Sequence, residues 1–462
     1  MRGTIEQPDF RDEMKTITLH RGLDIPIAGE PEQSIRPGQP VERVALIGAD
    51  YLGLKPTMLV QEGEQVQLGQ PLFTDKKRPG LSFTSPGCGT VEAINRGAKR
   101  VFQSLVIRLE GSEERTFDQA AAPLANLSPE AIRQLLLDSG LWCAFRTRPF
   151  GNIAPADATP ASVFVTAMDT NPLSADPLVV IARAPELFRT GLKVLRRLLP
   201  VPMHLCSRPG KPLPGADLDG IESWGFAGPH PAGLPSTHIH CIDPVHAAKQ
   251  VWHLDYQDLI AIGHLFTHGR LSMERIVALG GPGVEQPGLL ATRQGASISD
   301  LCRGELRDQE TVRVLSGSVF DGRPLAATTG FLGRYHRQIS VLLEGSGSSL
   351  FGWLAPGSDR FSATRLFASA LSGNKRFRFL TATWGGRRAI YPLGVYERVL
   401  PLDMIATTLL KTLAVGDSEK AADLGCLELI EEDLALCSFV CPGKNEFGPM
   451  LRQVLTAIEQ GG

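Results

Sequence analysis

Between Val44 and Leu109 the chain has no room for a long helix. Gly63, Gly69, Gly80, Gly87, Gly89 and Gly97 interrupt it at strand-length intervals. Glycine inside a helix costs about 1 kcal/mol relative to alanine, so a stretch this rich in it selects turns. Between the glycines stand short apolar or alternating runs at residues 44–47, 57–60, 62–73 (EGEQVQLGQPLF) and 81–94 (LSFTSPGCGTVEAI). Such text folds as small antiparallel strands joined by tight turns. The whole chain leans the same way, since 48 Gly and 34 Pro in 462 residues argue against a helical bundle.

The order of these runs, with the DKKRPG hairpin at residues 75–80, resembles the barrel-sandwich hybrid of biotinyl and lipoyl carrier domains. Lys76 and Lys77 occupy the place of the modified lysine in those domains. Two solvated turn lysines are the plainer reading. A carrier arm also needs a flexible tether, and the text that follows is folded sequence.

A length of 462 residues gives a prior of about three domains. Residues 1–13 read as an extension, and residues 14–117 as the barrel-sandwich-like β domain. Residues 118–255 alternate between helix and strand. Residues 129–139 (PEAIRQLLLDS) form an amphipathic helix with Ile132, Leu135, Leu136 and Leu137 on its apolar face. Residues 162–167, 178–181 (LVVI) and 201–206 read as buried strands, with a helix at 184–198. That is a Rossmann-like α/β layer, but no G-x-G-x-x-G follows the first strand. Residues 256–325 read as a β-grasp domain of the SLBB-like kind, with a short helix headed by Ser297 or Ser299. Residues 326–401 are β-rich, with strands expected at 335–343 and 350–354, and residues 402–462 are helical. The fold class is therefore α/β multidomain.

A formal net charge of −2 excludes a general polyanion binder, so nucleic acid is not an expected partner. No window approaches the 18 to 20 apolar residues of a membrane span. The polar N-terminus lacks the apolar core of a secretory signal, and eight scattered cysteines are sparse for a disulfide scaffold. Both point to the cytoplasm. Cys426, Cys437 and Cys441 end in C-x3-C-P, the tail of a bacterial iron–sulfur motif. Leu434 and Glu431 stand where further cysteines belong, so free thiols are expected rather than a cluster. His238 and His240 would share one face of a strand and could join His230, Cys241 or His246 on a metal; loop histidines making hydrogen bonds are the plainer reading. The run Glu431, Glu432 and Asp433 reads as a solvated helix face.

Longer blocks then align in order. RGLDIPIAGEPEQ (21–33), INRGAKRVFQSLVI (94–107), SGLWCAFRTRPF (139–150), FVTAMDTNPL (164–173), GPHPAGLPSTHIH (228–240), LGRYHRQISVL (332–342), YERVLPLDM (396–404) and EEDLALCSFVCPGKNEFG (431–448) resemble the A subunit (NqrA) of the Na⁺-translocating NADH:quinone oxidoreductases. The resemblance runs from Met14 to the end of the chain. It implies a peripheral subunit on the cytoplasmic face of the bacterial inner membrane, within a Na⁺-pumping NADH:ubiquinone oxidoreductase. The membrane-embedded B subunit is the implied neighbour. NAD and the flavins are implied to belong to other subunits, leaving ubiquinone as the cofactor this chain could meet.

The family is similar in plan to the C subunit of Rnf complexes and to the flavin- and NADH-binding subunit of complex I. Those relatives carry SGLRGRGGAGF-type glycine loops. Here Trp142, Phe145 and Arg146 stand where glycines would let backbone approach phosphates. The resemblance thus implies a scaffold with no tightly bound flavin, NADH or iron–sulfur centre of its own. Trp142, Phe145, Arg146 and Arg148 are the candidate quinone-region residues, with a packed α/β corner as the competing reading. The apolar face at Leu451, Val454, Leu455 and Ile458 is the expected docking element, unless it packs on the chain's own core. A self-contained nucleotide-dependent oxidoreductase and a lipoyl-like carrier remain the alternatives.

Overall fold

The structure is a computed structural model that describes residues 14–210, 212–345, 356–364, 366–371, 373, 375–383 and 385–461. The extension at 1–13 and the strand expected at 350–354 lie outside the described residues.

The glycine-punctuated region forms two small antiparallel sheets face to face. One orders Arg43–Ile47, Phe102–Leu109, Gly89–Arg96 and Gln65–Val66, and the other Pro56–Met58, Pro71–Asp75 and Arg78–Thr84. Alternation along the strands sends Val44, Leu46, Leu72, Phe73, Phe83, Leu105 and Ile107 inward. Phe73 stacks on Phe83 with centroids 4.7 Å apart. Lys76 and Lys77 form the hairpin tip, where the Lys77 amide donates to Asp75 Oδ1 at 3.1 Å and the Lys76 amide to the Lys55 carbonyl at 3.0 Å. The exit strand leads straight to Phe117, whose amide donates to the Gly269 carbonyl at 2.7 Å, so the hairpin rides on no swinging arm. Both lysines are expected to be unmodified. Peptide mass spectrometry of native protein checks this, and lipoate or biotin on either lysine would refute it.

The α/β layer is a six-stranded sheet ordered Lys15–Thr18, Ile221–Ala227, Met203–Ser207, Val163–Ala167, Val251–Asp255 and Arg146–Arg148. All neighbours are parallel except the last pair. Five helices serve it: α1 Pro129–Asp138, α2 Pro177–Ile181, α3 Pro185–Leu198, α4 Pro235–Ile242 and α5 Tyr256–His268. The expected apolar face of α1 is buried in full. Helices α3 and α5 meet through Gly191 and Gly263, where a Cβ at Gly263 would lie 1.9 Å from the Leu187 carbonyl oxygen.

Two readings of this layer need correction. The LVVI run is helix α2, not a strand. Asp176 caps it by accepting from the Leu178 amide at 3.0 Å, and Pro177 supplies the first helical φ. An apolar run this short cannot declare its own period. The histidine pair sits on helix α4, not on a strand, again with a proline at the start. Two residues on a helix turn through about 200°, so the rings part company. His238 Nε2 donates to the Ala232 carbonyl at 2.9 Å, while His240 Nδ1 donates to Glu428 at 2.8 Å.

The third sheet orders Arg323–Pro324, Val312–Ser316, Gln338–Leu343, Glu274–Gly280, Gly288–Arg293 and Glu32–Pro37. Its two central strands run parallel, and a short helix Ile298–Leu301 capped by Ser297 crosses it, which is β-grasp order. The C-terminal helices Val395–Val399, Ala406–Val415, Ser418–Asp423, Ala435–Val440 and Phe447–Gly461 surround a core of their own. Leu451, Val454 and Leu455 are buried in that core, with Ile458 packed against it. The face expected to dock on a partner is thus used inside the chain. Among the described residues no helix is long and apolar enough to cross a membrane.

Candidate functional site

In the α/β sheet the chain runs outward from Val163–Ala167 through the next two strands, then returns to lay Val251–Asp255 on the other side of the first. The connections after these two adjacent strands therefore leave in opposite directions. Such a switch point opens a crevice at the carboxyl ends of the strands, the usual ligand position in open α/β sheets. Here it widens into a cavity of about 1960 Å³. Thr166 and Asp255 come from the strand ends, Asp169 from the loop after Val163–Ala167, Asp321 and Arg337 from the β-grasp region, and Glu432 from the C-terminal region. A cluster of rings forms another wall, with Phe361 5.8 Å from Phe377 and Phe379 6.4 Å from Phe439 between centroids.

The helices that leave the two switch-point strands are already capped. Asp255 accepts from the Gln257 amide at 2.7 Å at the start of α5 and takes Arg337 Nε at 3.0 Å. One turn later Asp258 is buried against Arg275, Arg334 and Arg337. Asp176 caps α2 in the same way. A helix N-terminus binds phosphate through free amides and its positive dipole end. At both positions one first-turn amide is already taken by the chain's own carboxylate, which adds negative charge where a phosphate would sit.

The four residues singled out from SGLWCAFRTRPF divide between core and cavity. Trp142 and Phe145 are fully buried, 5.1 Å apart between centroids and each 5.7 Å from Trp252. Trp142 Nε1 donates to the Ala154 carbonyl at 2.8 Å. These two rings are the packed corner and do not line the cavity. Arg146 does, with its guanidinium 4.7 Å from the Tyr335 ring. Arg148 reaches the cavity from a fully buried position, donating to Ser236 Oγ at 3.0 Å and to His253 Nε2 at 2.7 Å. Burial lowers its pKa to about 10, with nearby Asp433 opposing the shift. Burial and the neighbouring arginine keep His253 neutral, with its proton on Nδ1.

The acidic run also departs from expectation. Glu431–Leu434 is a 3-10 turn packed inward, not a solvated face. Asp433 is buried and accepts from the Ile430 amide at 2.7 Å. Glu431 pairs with Arg452 at 2.6 Å, and Glu432 faces the cavity. Asn171 Nδ2 donates to Asp169 Oδ1 at 3.1 Å and to Glu432 Oε1 at 3.3 Å, tying the loop after strand Val163–Ala167 to the C-terminal region. Burial raises Asp169 to about 7, and Asp255 and Asp321 push the same way. Burial also lifts Glu432 well above the usual range, helped by Asp321 and Asp433. Sequence reading missed Asp169 and Asn171 and placed Glu432 on a solvated face.

Cys426, Cys437 and Cys441 are free and buried. Tyr396 Oη lies 3.2 Å from Cys441 Sγ, and the Asn445 amide donates to the sulfur at 3.5 Å. Among the described residues no group of three or more His, Cys, Asp or Glu is placed to hold a metal.

Three family models match consecutive parts of the chain. They are the NqrA N-terminal barrel-sandwich hybrid domain at residues 17–110, the NqrA second alpha/beta domain at 127–271 and the NQRA C-terminal domain at 276–326. The A subunit of the Na⁺-translocating NADH-quinone reductase of Actinobacillus pleuropneumoniae (strain L20) is 54% identical over 450 residues, covering 96% of this chain and all of the relative. The chain belongs to the NqrA family. The corresponding A subunits of Neisseria gonorrhoeae (strain NCCP11945) and Yersinia pestis (strain Angola) are 54% and 52% identical, each covering 96% of this chain and the whole relative. The NqrA models coincide with the β sandwich, the α/β layer and the β-grasp sheet. Among solved structures, an NAD⁺-reducing nickel–iron hydrogenase in the air-oxidized state aligns with 49% of each chain at 16% identity and a TM-score of 0.36.

Proposed function

We propose that this chain is the peripheral NqrA component of a Na⁺-pumping NADH:ubiquinone oxidoreductase. It sits on the cytoplasmic face of the bacterial inner membrane, docks on the membrane-embedded B subunit and borders the quinone-reducing site. It has no flavin, NADH or iron–sulfur centre of its own, and NAD and the flavins are carried by other subunits. The observation that carries this reading is the filled switch point. The chain keeps a nucleotide-fold scaffold, yet Asp255 and Asp258 occupy the dipole end of α5, where a phosphate would need free amides. The packed Trp142 and Phe145 support it, because bulky side chains stand where a glycine loop would approach the ligand.

The cavity suits a different ligand. Its ring cluster offers apolar faces to a flat, uncharged molecule, and Arg146, Tyr335 and Asp169 offer polar contacts at its edge. Those properties match a quinone head better than an anionic nucleotide. The full chain titrated with a short-chain ubiquinone should bind it saturably, whereas NADH should give no binding. Binding of NADH, or no binding of the quinone, would contradict the reading. Cross-linking in the assembled complex should join this chain chiefly to the B subunit, and cross-links that avoid that partner would overturn the docking.

A further inference from the structure

Residues 356–398 carry eight Lys or Arg against two acids, Asp359 and Glu397, in a chain whose formal net charge is −2. The same segment turns apolar side chains to solvent. Leu366, Leu371, Leu380, Tyr391 and Leu393 are five of the eleven large apolar side chains exposed among the described residues. Exposed apolar side chains gathered in this way mark a contact surface. Leu366 and Leu393 are 79% and 60% exposed and still line the cavity, so they stand at its open rim. Behind them the ring cluster leads inward, with Phe361 stacked on Phe439 at 6.3 Å between centroids.

The charges of this region divide by partner. Lys375 holds Asp359 at 2.6 Å, Arg376 pairs with Glu30 and Arg378 with Glu310, and Glu397 accepts from the Thr407 hydroxyl at 2.6 Å. Among the described residues, Arg387, Arg388, Arg398 and Lys444 make no ion pair. They lie together at the rim. The Arg388 amide donates to the Gly443 carbonyl at 2.8 Å, Asn445 Nδ2 donates to the Arg388 carbonyl at 3.0 Å, and Lys444 and Arg398 both line the cavity. Glu446 on the same stretch offsets one of the four charges and leaves the rim cationic.

We propose that this rim rests on an anionic phospholipid surface. Arg387, Arg388 and Lys444 meet the phosphate groups, and Leu366, Tyr391 and Leu393 dip below them into the acyl boundary. Charge favours this occupant over a protein. A protein partner would have to place an acid opposite each cation, whereas an anionic bilayer supplies phosphates wherever the cations fall. Long basic side chains bury their stems while the charge stays in the headgroup layer, and tyrosine is at home at that level. The contact sets the cavity mouth on the bilayer. A membrane-dissolved quinone would then pass between the leucines to the ring cluster without crossing water. That route rests on the proposed function; the lipid contact does not.

Co-sedimentation of the full chain with vesicles, in the absence of quinone, tests the contact. Vesicles of phosphatidylcholine with about one-third phosphatidylglycerol should bind it saturably, and vesicles of phosphatidylcholine alone should not. Arg387→Gln with Arg388→Gln should weaken that binding about thirtyfold, and Leu393→Gln severalfold. Lys76→Gln with Lys77→Gln removes the same charge from the exposed hairpin tip and should bind as the wild type does. All five side chains are exposed, so melting temperatures should agree and a loss of binding is a loss of contact. Equal binding to both vesicles, or an equal loss in both double variants, would overturn the proposal. No binding to either vesicle would overturn it too, and release of the Arg387→Gln, Arg388→Gln variant from the assembled complex would then assign the rim to a protein partner. Vesicle binding by a chain that takes up no quinone would uphold the lipid contact and overturn the proposed function alone.

Discussion

Asp258→Ala should cost about 3–5 kcal/mol of stability, the price of breaking a buried ion-pair network by removing its shared partner. Asp258 lies at the start of α5, 1% exposed, and takes Arg275 at 2.8 Å, Arg334 at 2.8 Å and Arg337 at 3.3 Å. Those arginines come from the β-grasp strand Glu274–Gly280 and from the loop before Gln338–Leu343, so one carboxylate joins two regions. Without it three guanidinium groups stay buried with insufficient counter-charge. Thermal melts should show a large fall for Asp258→Ala. Glu222→Ala, which removes a surface pair with Lys15 at 3.5 Å, should change little.

The same network sets an acid limit. Burial pushes the Asp258 pKa up, but Arg334, Arg337 and Arg275 together pull it below the unfolded value, to about 2. A depressed carboxylate stabilises the fold above its unfolded pKa of about 3.9, and that stability is lost as pH falls through the folded value. Acid unfolding followed by circular dichroism should therefore shift to higher pH in Asp258→Asn. An unchanged midpoint would show that the network does not hold the two regions together.

Gly263→Ala should be the second severe change. Its Cβ would lie 1.9 Å from the Leu187 carbonyl oxygen of α3, and a Cβ at Gly191 would lie 2.4 Å from the Leu259 carbonyl oxygen of α5. The clash is with backbone, so no rotamer relieves it and the helices must part. Overpacking of this kind costs about 1–3 kcal/mol, enough to lower the melting temperature by several degrees. Gly461→Ala is the control, since nothing lies within 4 Å of its added Cβ and alanine favours a helix. Equal melting temperatures for the two variants would mean that α3 and α5 do not touch as described.

Local chemistry made much of the fold readable. The turn glycines marked the sandwich, and the apolar stripe of Pro129–Asp138 marked its helix. The two misread segments carried a signal in their punctuation: Asp176–Pro177 and Pro235 are helix starts, but apolar content outweighed them. The cavity was not legible at all. It depends on which strands are adjacent, and that order is fixed by contacts between residues far apart in the chain. Nothing in MDTNP announces that Asn171 bridges Asp169 and Glu432, because that bridge depends on the docking of the C-terminal region. SGLWCAFRTRPF was noticed for its bulky residues, yet its two arginines and Ala144 line the cavity and its rings do not. The rings pack behind them against Trp252 of the neighbouring strand.

The absorbance spectrum of anaerobically purified full-length chain decides whether the scaffold has lost its redox groups. A protein whose helix dipoles are capped by Asp176 and Asp255, and whose cysteines stop at Cys426, Cys437 and Cys441, should be colourless above the aromatic band. A stoichiometric flavin spectrum, or a broad iron–sulfur absorption bleached by reduction, would show that this protein carries electrons itself.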